Sequence, residues 1–81
     1  MTLYEFKDLE DYKQLEAMWL HGIRLAYRKE GEVEFTLYQI DGFYIEDKFD
    51  IPNDIRYIKS FISTEPLEAY LSQIDISQLR L

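Results

Sequence analysis

The residues of this chain that are able to do chemistry are few, and their spacing does not form a catalytic set. The one histidine, His21, lies between a leucine and a glycine, with no cysteine anywhere in the chain and no serine in a nucleophile-elbow context. The adjacent carboxylates Glu46 and Asp47 point to opposite faces of a strand, so they do not pair as a general acid and base. We therefore expect no enzyme activity, and we interpret His21 as a structural or solvent-exposed side chain.

Metal and cofactor sites are similarly poorly supported. Asp50, Asn53 and Asp54 offer oxygen ligands from one loop, but their spacing does not match an EF-hand, and Pro52 stiffens the turn. The chain has no cysteine for a disulfide or a thiolate zinc site, and no glycine-rich loop that would cradle phosphate. The sequence thus predicts an acidic turn without a metal ion, and no cofactor.

Charge and length narrow the class of protein. Sixteen acidic against nine basic residues give a net charge of -7, which repels nucleic acid and acidic lipid surfaces. The basic residues Arg24, Arg28 and Lys29 are expected to form ordinary pairs on a solvated face. No apolar run approaches the ~20 residues of a membrane span, and no secretory signal is recognisable. We expect one small domain over residues 1–81, located in the cytoplasm, with neither a nucleic acid nor a membrane as partner.

The middle of the chain has the alternating pattern of a three-stranded β-meander. Two tripeptides that end in glycine, at 29–31 and 40–42, separate three runs whose odd positions are apolar. A two-residue turn at Asp41-Gly42 would place Leu37 opposite Glu46 and mix core with solvent residues. The pattern therefore favours a three-residue loop with Gly42 in the left-handed conformation, which places Leu37 opposite Ile45. By the same rule at Gly31, Tyr27 is expected opposite Val33 and Leu25 opposite Phe35.

Asp47 is the one charged residue on the predicted inner face of the sheet. A buried carboxylate needs a cation or a position near the sheet end. Arg56 and Lys59 are the candidate partners.

Helical patterns flank the meander. Thr2 and Glu5 match a capping box, and the residues that follow repeat at spacings of three or four along one face, which we expect to lie on the sheet. These residues are Phe6, Leu9, Tyr12, Leu15 and Trp19. The helix either ends at Gly22 or gives way earlier to the first strand; we favour a strand that begins near Leu20, because the second strand, 32–40, needs a partner of its own length.

The C-terminal third contains the most ambiguous segment. Residues 55–62 have helical spacing of isoleucines, yet their β-branched and aromatic content suits a fourth strand, which we favour. Glu65-Pro66 then opens a helix. Its expected buried stripe consists of Leu67, Tyr70, Leu71 and Ile74.

The predicted fold class is therefore α+β: an N-terminal helix, a four-stranded antiparallel β-meander and a C-terminal helix, with both helices on one face of the sheet. The other face would be open. On it Tyr38 and Tyr44 would be direct cross-strand neighbours beside Ile40, either as a stabilising aromatic pair or as an interaction patch. The apolar tail offers Leu79 and Leu81 as further contact residues, docked on the core or used on a partner.

Three functions are compatible with these features. The first is a small acidic, non-catalytic protein-interaction module whose partner is another protein or a second copy in a homodimer. The second is a regulator or inhibitor that occupies a basic partner through acidic surface. The third is a small-ligand-binding domain with a pocket near Trp19, His21 and Asp47.

Overall fold

A computed structural model describes residues 1–63 and 65–70 of the chain. Within these residues the chain forms two short helices, four strands and a final 3₁₀ helix. Their bounds are α1 Leu3–Lys7, α2 Asp11–His21, β1 Ile23–Glu30, β2 Val33–Ile40, β3 Phe43–Asp50, β4 Ile55–Phe61 and the 3₁₀ helix Glu65–Tyr70. The predicted N-terminal helical region and the four-stranded antiparallel sheet, including the fourth strand, are confirmed. The predicted C-terminal helix is not confirmed: Glu65–Tyr70 form a 3₁₀ helix, and the predicted helix positions Leu71 and Ile74 lie outside the described residues.

The N-terminal helix is present but divided. Its capping box is confirmed, since the Glu5 N–H donates to Thr2 Oγ1 at 3.1 Å and the Thr2 N–H donates to Glu5 Oε1 at 2.8 Å. The predicted single helix is wrong, because α1 ends at Lys7 and α2 begins at Asp11. With the break, Phe6 of α1 and Ala17 and Met18 of α2 pack into the same core cluster. Strand β1 starts at Ile23 rather than near Leu20.

The sheet is an antiparallel meander with strand order β1-β2-β3-β4, but its register differs from the predicted one. Ile40 pairs with Phe43 and Leu37 pairs with Glu46, so the connection at Asp41-Gly42 is the two-residue turn. The left-handed residue of this turn is Asp41, with φ 49°, and Gly42 does not have a left-handed φ. The predicted three-residue loop is therefore wrong.

The first hairpin departs from the prediction in the same way. Glu30 pairs with Val33 across a two-residue turn in which Gly31 has φ 60°. Glycine at the first turn position with positive φ is the requirement of a type II′ turn, whose twist matches that of the strands. A bulge between Arg24 and Ala26 shifts the pairing of the first two residues of β1.

The physical reason for this register is that the sheet has a core on each of its faces. The face under α1 and α2 buries one cluster, consisting of Phe6, Ala17, Met18, Ile40, Phe43 and Ile45. The opposite face buries a second cluster with the 3₁₀ helix, consisting of Ala26, Phe35, Leu37, Tyr44, Phe61, Leu67 and Tyr70. Because both faces are covered, apolar residues at odd and at even strand positions are buried, and the register predicted for one buried face is wrong. The expectation that both terminal helical segments lie on one face is accordingly wrong for the described residues.

The junction between α2 and β1 is tight enough to require a glycine. The Gly22 N–H donates to the Met18 carbonyl at 2.9 Å, and a Cβ at Gly22 would lie 2.3 Å from that same oxygen and 3.2 Å from the Tyr38 ring. Helix and strand therefore meet without a linker, and this contact holds the end of α2 against β2.

We expect Gly22→Ala to lower the free energy of unfolding by about 2 kcal/mol, because the backbone must move to admit the methyl group. Gly42→Ala is the matched control, since a methyl group there would have no atom within 4 Å and the Gly42 φ is not left-handed. That control should change stability by less than about 0.5 kcal/mol. Urea unfolding measures both values, and equal effects at the two glycines would contradict the steric argument.

Candidate interaction surface

The structure separates the residues that the sequence grouped into an interaction patch. Tyr38 pairs with Ile45 and lies half-buried on the helix-covered face, whereas Tyr44 lies on the opposite face with 1% of its surface exposed. Ile40 is buried in the helix-side core. The predicted Tyr38–Tyr44 pairing is wrong, because the two-residue turn changes the parity of one strand. Leu79 and Leu81 lie outside the described residues.

A different apolar surface is present on helix α2. The side of α2 that faces the sheet buries Ala17 and Met18. The opposite side carries residues at spacings i, i+3, i+4, i+7 and i+8, which line one helical face. We call this face the outer stripe of α2; it consists of Tyr12, Leu15, Glu16, Trp19 and Leu20.

The outer stripe is apolar yet largely exposed. Tyr12 and Trp19 each expose 59% of their surface and Leu20 exposes 69%, while Leu15 is half-buried. Together with Glu16 they line a shallow hollow of about 540 Å³ along the helix. Apart from Leu15, which packs at the edge of the helix-side core, the apolar residues of this face are turned away from the sheet.

The local sequence explains this orientation of α2. The helix side that approaches the sheet needs small or flexible side chains, because the Gly22 junction brings the helix end close to Tyr38. Ala17 and Met18 meet this requirement, and Met is well suited to fill irregular gaps. The Gln14 side chain donates to the Phe6 carbonyl at 3.1 Å, which ties α2 to α1 on the same inner side. The bulky residues are left on the outside.

One charged group, Glu16, lies within the outer stripe, and others lie at its edges. Glu16 is exposed, and no cation of the described residues lies within ion-pair distance of its carboxylate. Glu10 and Asp11 lie at the start of α2, where carboxylates interact favourably with the helix dipole. At one edge of the stripe, the Arg56 guanidinium lies 5.7 Å from the centre of the Trp19 ring.

Arg56 also forms the predicted ion pair with Asp47. The Arg56 Nη1 donates to Asp47 Oδ2, and Asp47 is 4% exposed. Asp47 Oδ1 has no hydrogen-bond partner among the described residues. Burial raises the pKa of Asp47, and the Arg56 charge and hydrogen bond oppose this only in part. The choice of Arg56 over Lys59 follows from the register, since Arg56 lies on the Asp47 face of the sheet and Lys59 on the other.

The structure brings together two of the three residues of the predicted ligand pocket. Arg56 links Trp19 to Asp47, and a hollow of about 290 Å³ lies beside it, between α2 and β4. Its lining consists of Asp11, Gln14, Leu15, Arg56, Tyr57 and Ile58. His21 lies elsewhere, at a hollow shared with Met1, Ile40 and Asp41.

Neither a metal site nor a membrane span is found in the part of the chain that the structure describes. No three His, Asp or Glu side chains of residues 1–63 and 65–70 come together in a way suited to a cation. No helix among these residues is both apolar and long enough to cross a bilayer.

The helical spacing of Tyr12, Leu15 and Trp19 predicted that all three lie on the sheet. The prediction is wrong for Tyr12 and Trp19, which are largely exposed, whereas Leu15 packs at the edge of the helix-side core. The competing inner face, with Gln14, Ala17 and Met18, has too little apolar character to stand out in the sequence.

The chain matches no protein-family model, no curated protein and no solved structure.

Proposed function

We propose that this protein is a small, non-catalytic protein-interaction module that acts in the cytoplasm, and that the outer stripe of α2 is its binding surface. The observation that carries the proposal is the exposure of Tyr12, Trp19 and Leu20 on the side of α2 opposite to its sheet contact. Water is an unfavourable environment for these side chains, so covering them with a partner would be favourable.

The size of the stripe supports an interface rather than a scatter of surface residues. With side-chain areas of roughly 150–250 Å², the three exposed residues present on the order of 300 Å². This is the size of the largest apolar patch on a typical monomer, and such patches are often functional. Tyr and Trp are also enriched at the cores of protein interfaces, and polar or charged residues form the rim around such a core.

Two alternatives have narrower support. A regulator of a basic partner is supported by the net charge of -7, by the exposed Glu16 within the stripe and by the exposed Glu10 and Asp11 beside it. A small-ligand site between α2 and β4 is supported by the hollow at Arg56 and Leu15. Arg56, the cation that lines this hollow, is already paired with Asp47, which weakens its attraction for an anionic ligand.

The test compares two double variants with the wild type for association. Tyr12→Gln/Leu20→Gln removes two side chains of the stripe, and Tyr4→Gln/Ile62→Gln removes two that are similarly exposed elsewhere, at 75% and 58%. Light scattering over a dilution series measures self-association, and co-purification from the source cells measures foreign partners.

We expect the stripe variant to lose association that both the wild type and the control variant retain. Both variants should melt within a few degrees of the wild type, because exposed side chains contribute little to stability. Identical association of all three proteins would overturn the proposed function.

A further inference from the structure

We infer that the partner of the outer stripe is a basic amphipathic helix of another protein, with a lysine or arginine placed among its apolar residues. This inference rests on the proposed function and concerns the same surface. It is carried by the position of one acidic residue, Glu16, within the apolar stripe.

Glu16 lies midway along the stripe, between Tyr12 and Leu20 at spacings of four residues. All three side chains line the same hollow, and Trp19 and Leu15 complete its walls. A partner that covers the apolar residues therefore covers Glu16 as well. Burying a carboxylate without a cation is costly, and the described part of the chain supplies no cation to Glu16. The partner must bring one.

A second copy of this chain fits the stripe poorly. In a two-fold pair of α2 helices whose contact is centred on the stripe, Glu16 meets its own symmetry mate, whether the helices run parallel or antiparallel. Each copy also has a net charge of -7, which opposes association. A foreign cationic segment removes both penalties.

The shape of the surface favours a helix as the occupant. Residues 12, 16 and 20 form one ridge along α2, and residues 15 and 19 form the next. The ridge of a second helix packs into the groove between two such rows. Helix α2 has 11 residues and is about 16 Å long, which matches about three turns of a partner with apolar residues at i, i+3 or i+4, and i+7.

Trp19 allows the inference to be tested directly, because it is the only tryptophan in the chain and belongs to the stripe. The probe is a synthetic 18-residue peptide of leucine and lysine, with leucine at helical spacing. One comparison peptide carries glutamate in place of lysine, and another has the leucine and lysine order scrambled. Trp19 fluorescence is recorded while each peptide is titrated into the wild type and two charge-reversal variants, Glu16→Lys and Glu32→Lys. Glu32 is an exposed turn residue at a different part of the fold, so it controls for net charge.

The leucine-lysine helix should bind saturably and shift the Trp19 emission to shorter wavelength. Glu16→Lys should weaken this binding about tenfold, whereas Glu32→Lys should weaken it by no more than about twofold. The leucine-glutamate and scrambled peptides should produce no comparable shift.

Three outcomes would overturn the inference. The first is equal weakening by Glu16→Lys and Glu32→Lys, which would assign binding to overall charge. The second is equal binding of the leucine-glutamate helix. The third is a Trp19 emission that changes with protein concentration alone while the mass doubles, which would make a second copy the occupant. In each case the proposed function still stands if Tyr12→Gln/Leu20→Gln abolishes association, and it fails separately if that variant has no effect.

Discussion

Tyr70→Ala is expected to lower the free energy of unfolding by about 3–5 kcal/mol, the usual cost of removing a buried aromatic side chain. Tyr70 has no exposed surface and packs in the core on the sheet face opposite to α2. Its hydroxyl donates to Glu46 Oε2 at 2.8 Å, and the Arg28 guanidinium lies 5.2 Å from its ring centre. Truncation would detach the 3₁₀ helix and expose Leu37 to water.

Urea unfolding measures this loss, and amide hydrogen exchange in β2 and β3 shows whether that face of the sheet opens. Glu68→Ala is the control, because Glu68 is exposed on the same 3₁₀ helix and should matter by less than about 0.5 kcal/mol. A loss of under about 1 kcal/mol for Tyr70→Ala would mean that the 3₁₀ helix contributes little to the core.

The conservative variant Tyr70→Phe separates the hydroxyl from the ring. Burial, followed by the hydrogen bond to Glu46, raises the pKa of Tyr70. The folded pKa therefore lies above the unfolded value of about 10, so the stability that depends on neutral Tyr70 is complete below about pH 10 and is lost as pH rises further. Tyr70→Phe should cost about 1–2 kcal/mol at pH 7 and should lose less stability than the wild type above pH 10.

Arg56→Met is expected to destabilise the protein by about 3 kcal/mol at pH 7, because it leaves the Asp47 carboxylate buried without its cation. The figure is at the low end for buried pairs, since 30% of the Arg56 side chain is exposed. The double variant Asp47→Asn/Arg56→Met should recover most of the loss, because it removes the buried charge itself. Urea unfolding of the wild type, Asp47→Asn, Arg56→Met and the double variant completes a double-mutant cycle.

The destabilisation caused by Arg56→Met should increase as the pH rises. Burial already raises the pKa of Asp47 in the wild type, and removing Arg56 raises it further. The folded state then holds the Asp47 proton more tightly than the unfolded state, in which the pKa is about 3.9. The penalty of Arg56→Met relative to wild type should therefore be smallest below about pH 4 and should grow as pH rises through the folded pKa of Asp47. An unchanged penalty at pH 4 and pH 7 would contradict the assignment.

Local signals in the chain were sufficient to identify most secondary structure. The Thr2–Glu5 capping box, the strands of the meander and the disputed strand β4 all follow from short-range patterns. The sequence also named Arg56 as one of two candidate partners of Asp47, because a buried carboxylate requires a cation. Each of these inferences depends on residues close in sequence or on one physical requirement.

The register and the orientation of α2 depended on information that no short segment contains. Neighbouring residues of a strand point to opposite faces of the sheet, so a change of one residue in the length of a turn changes which residues share a face. The predicted three-residue loop placed Tyr38 and Tyr44 on the same face, whereas the two-residue turn places them on opposite faces. The chain resolves this choice by burying both faces of the sheet, with α1 and α2 on one side and the 3₁₀ helix on the other. The two-residue turns are compatible with that arrangement because Asp41 and Gly31 adopt positive φ.

The sequence by itself determined the class of this protein: an acidic α+β chain with a four-stranded antiparallel meander and no recognisable catalytic motif. Composition and period-two alternation suffice for those conclusions. Only the tertiary structure decided which apolar residues form the core and which form a surface. The apolar residues Tyr12, Leu15 and Trp19 of the outer stripe would have the same spacing in the sequence whether the stripe faced the sheet or the solvent. Its direction is decided by the Gly22 junction and by the fit of Ala17 and Met18 against β2 and β3, which are long-range contacts.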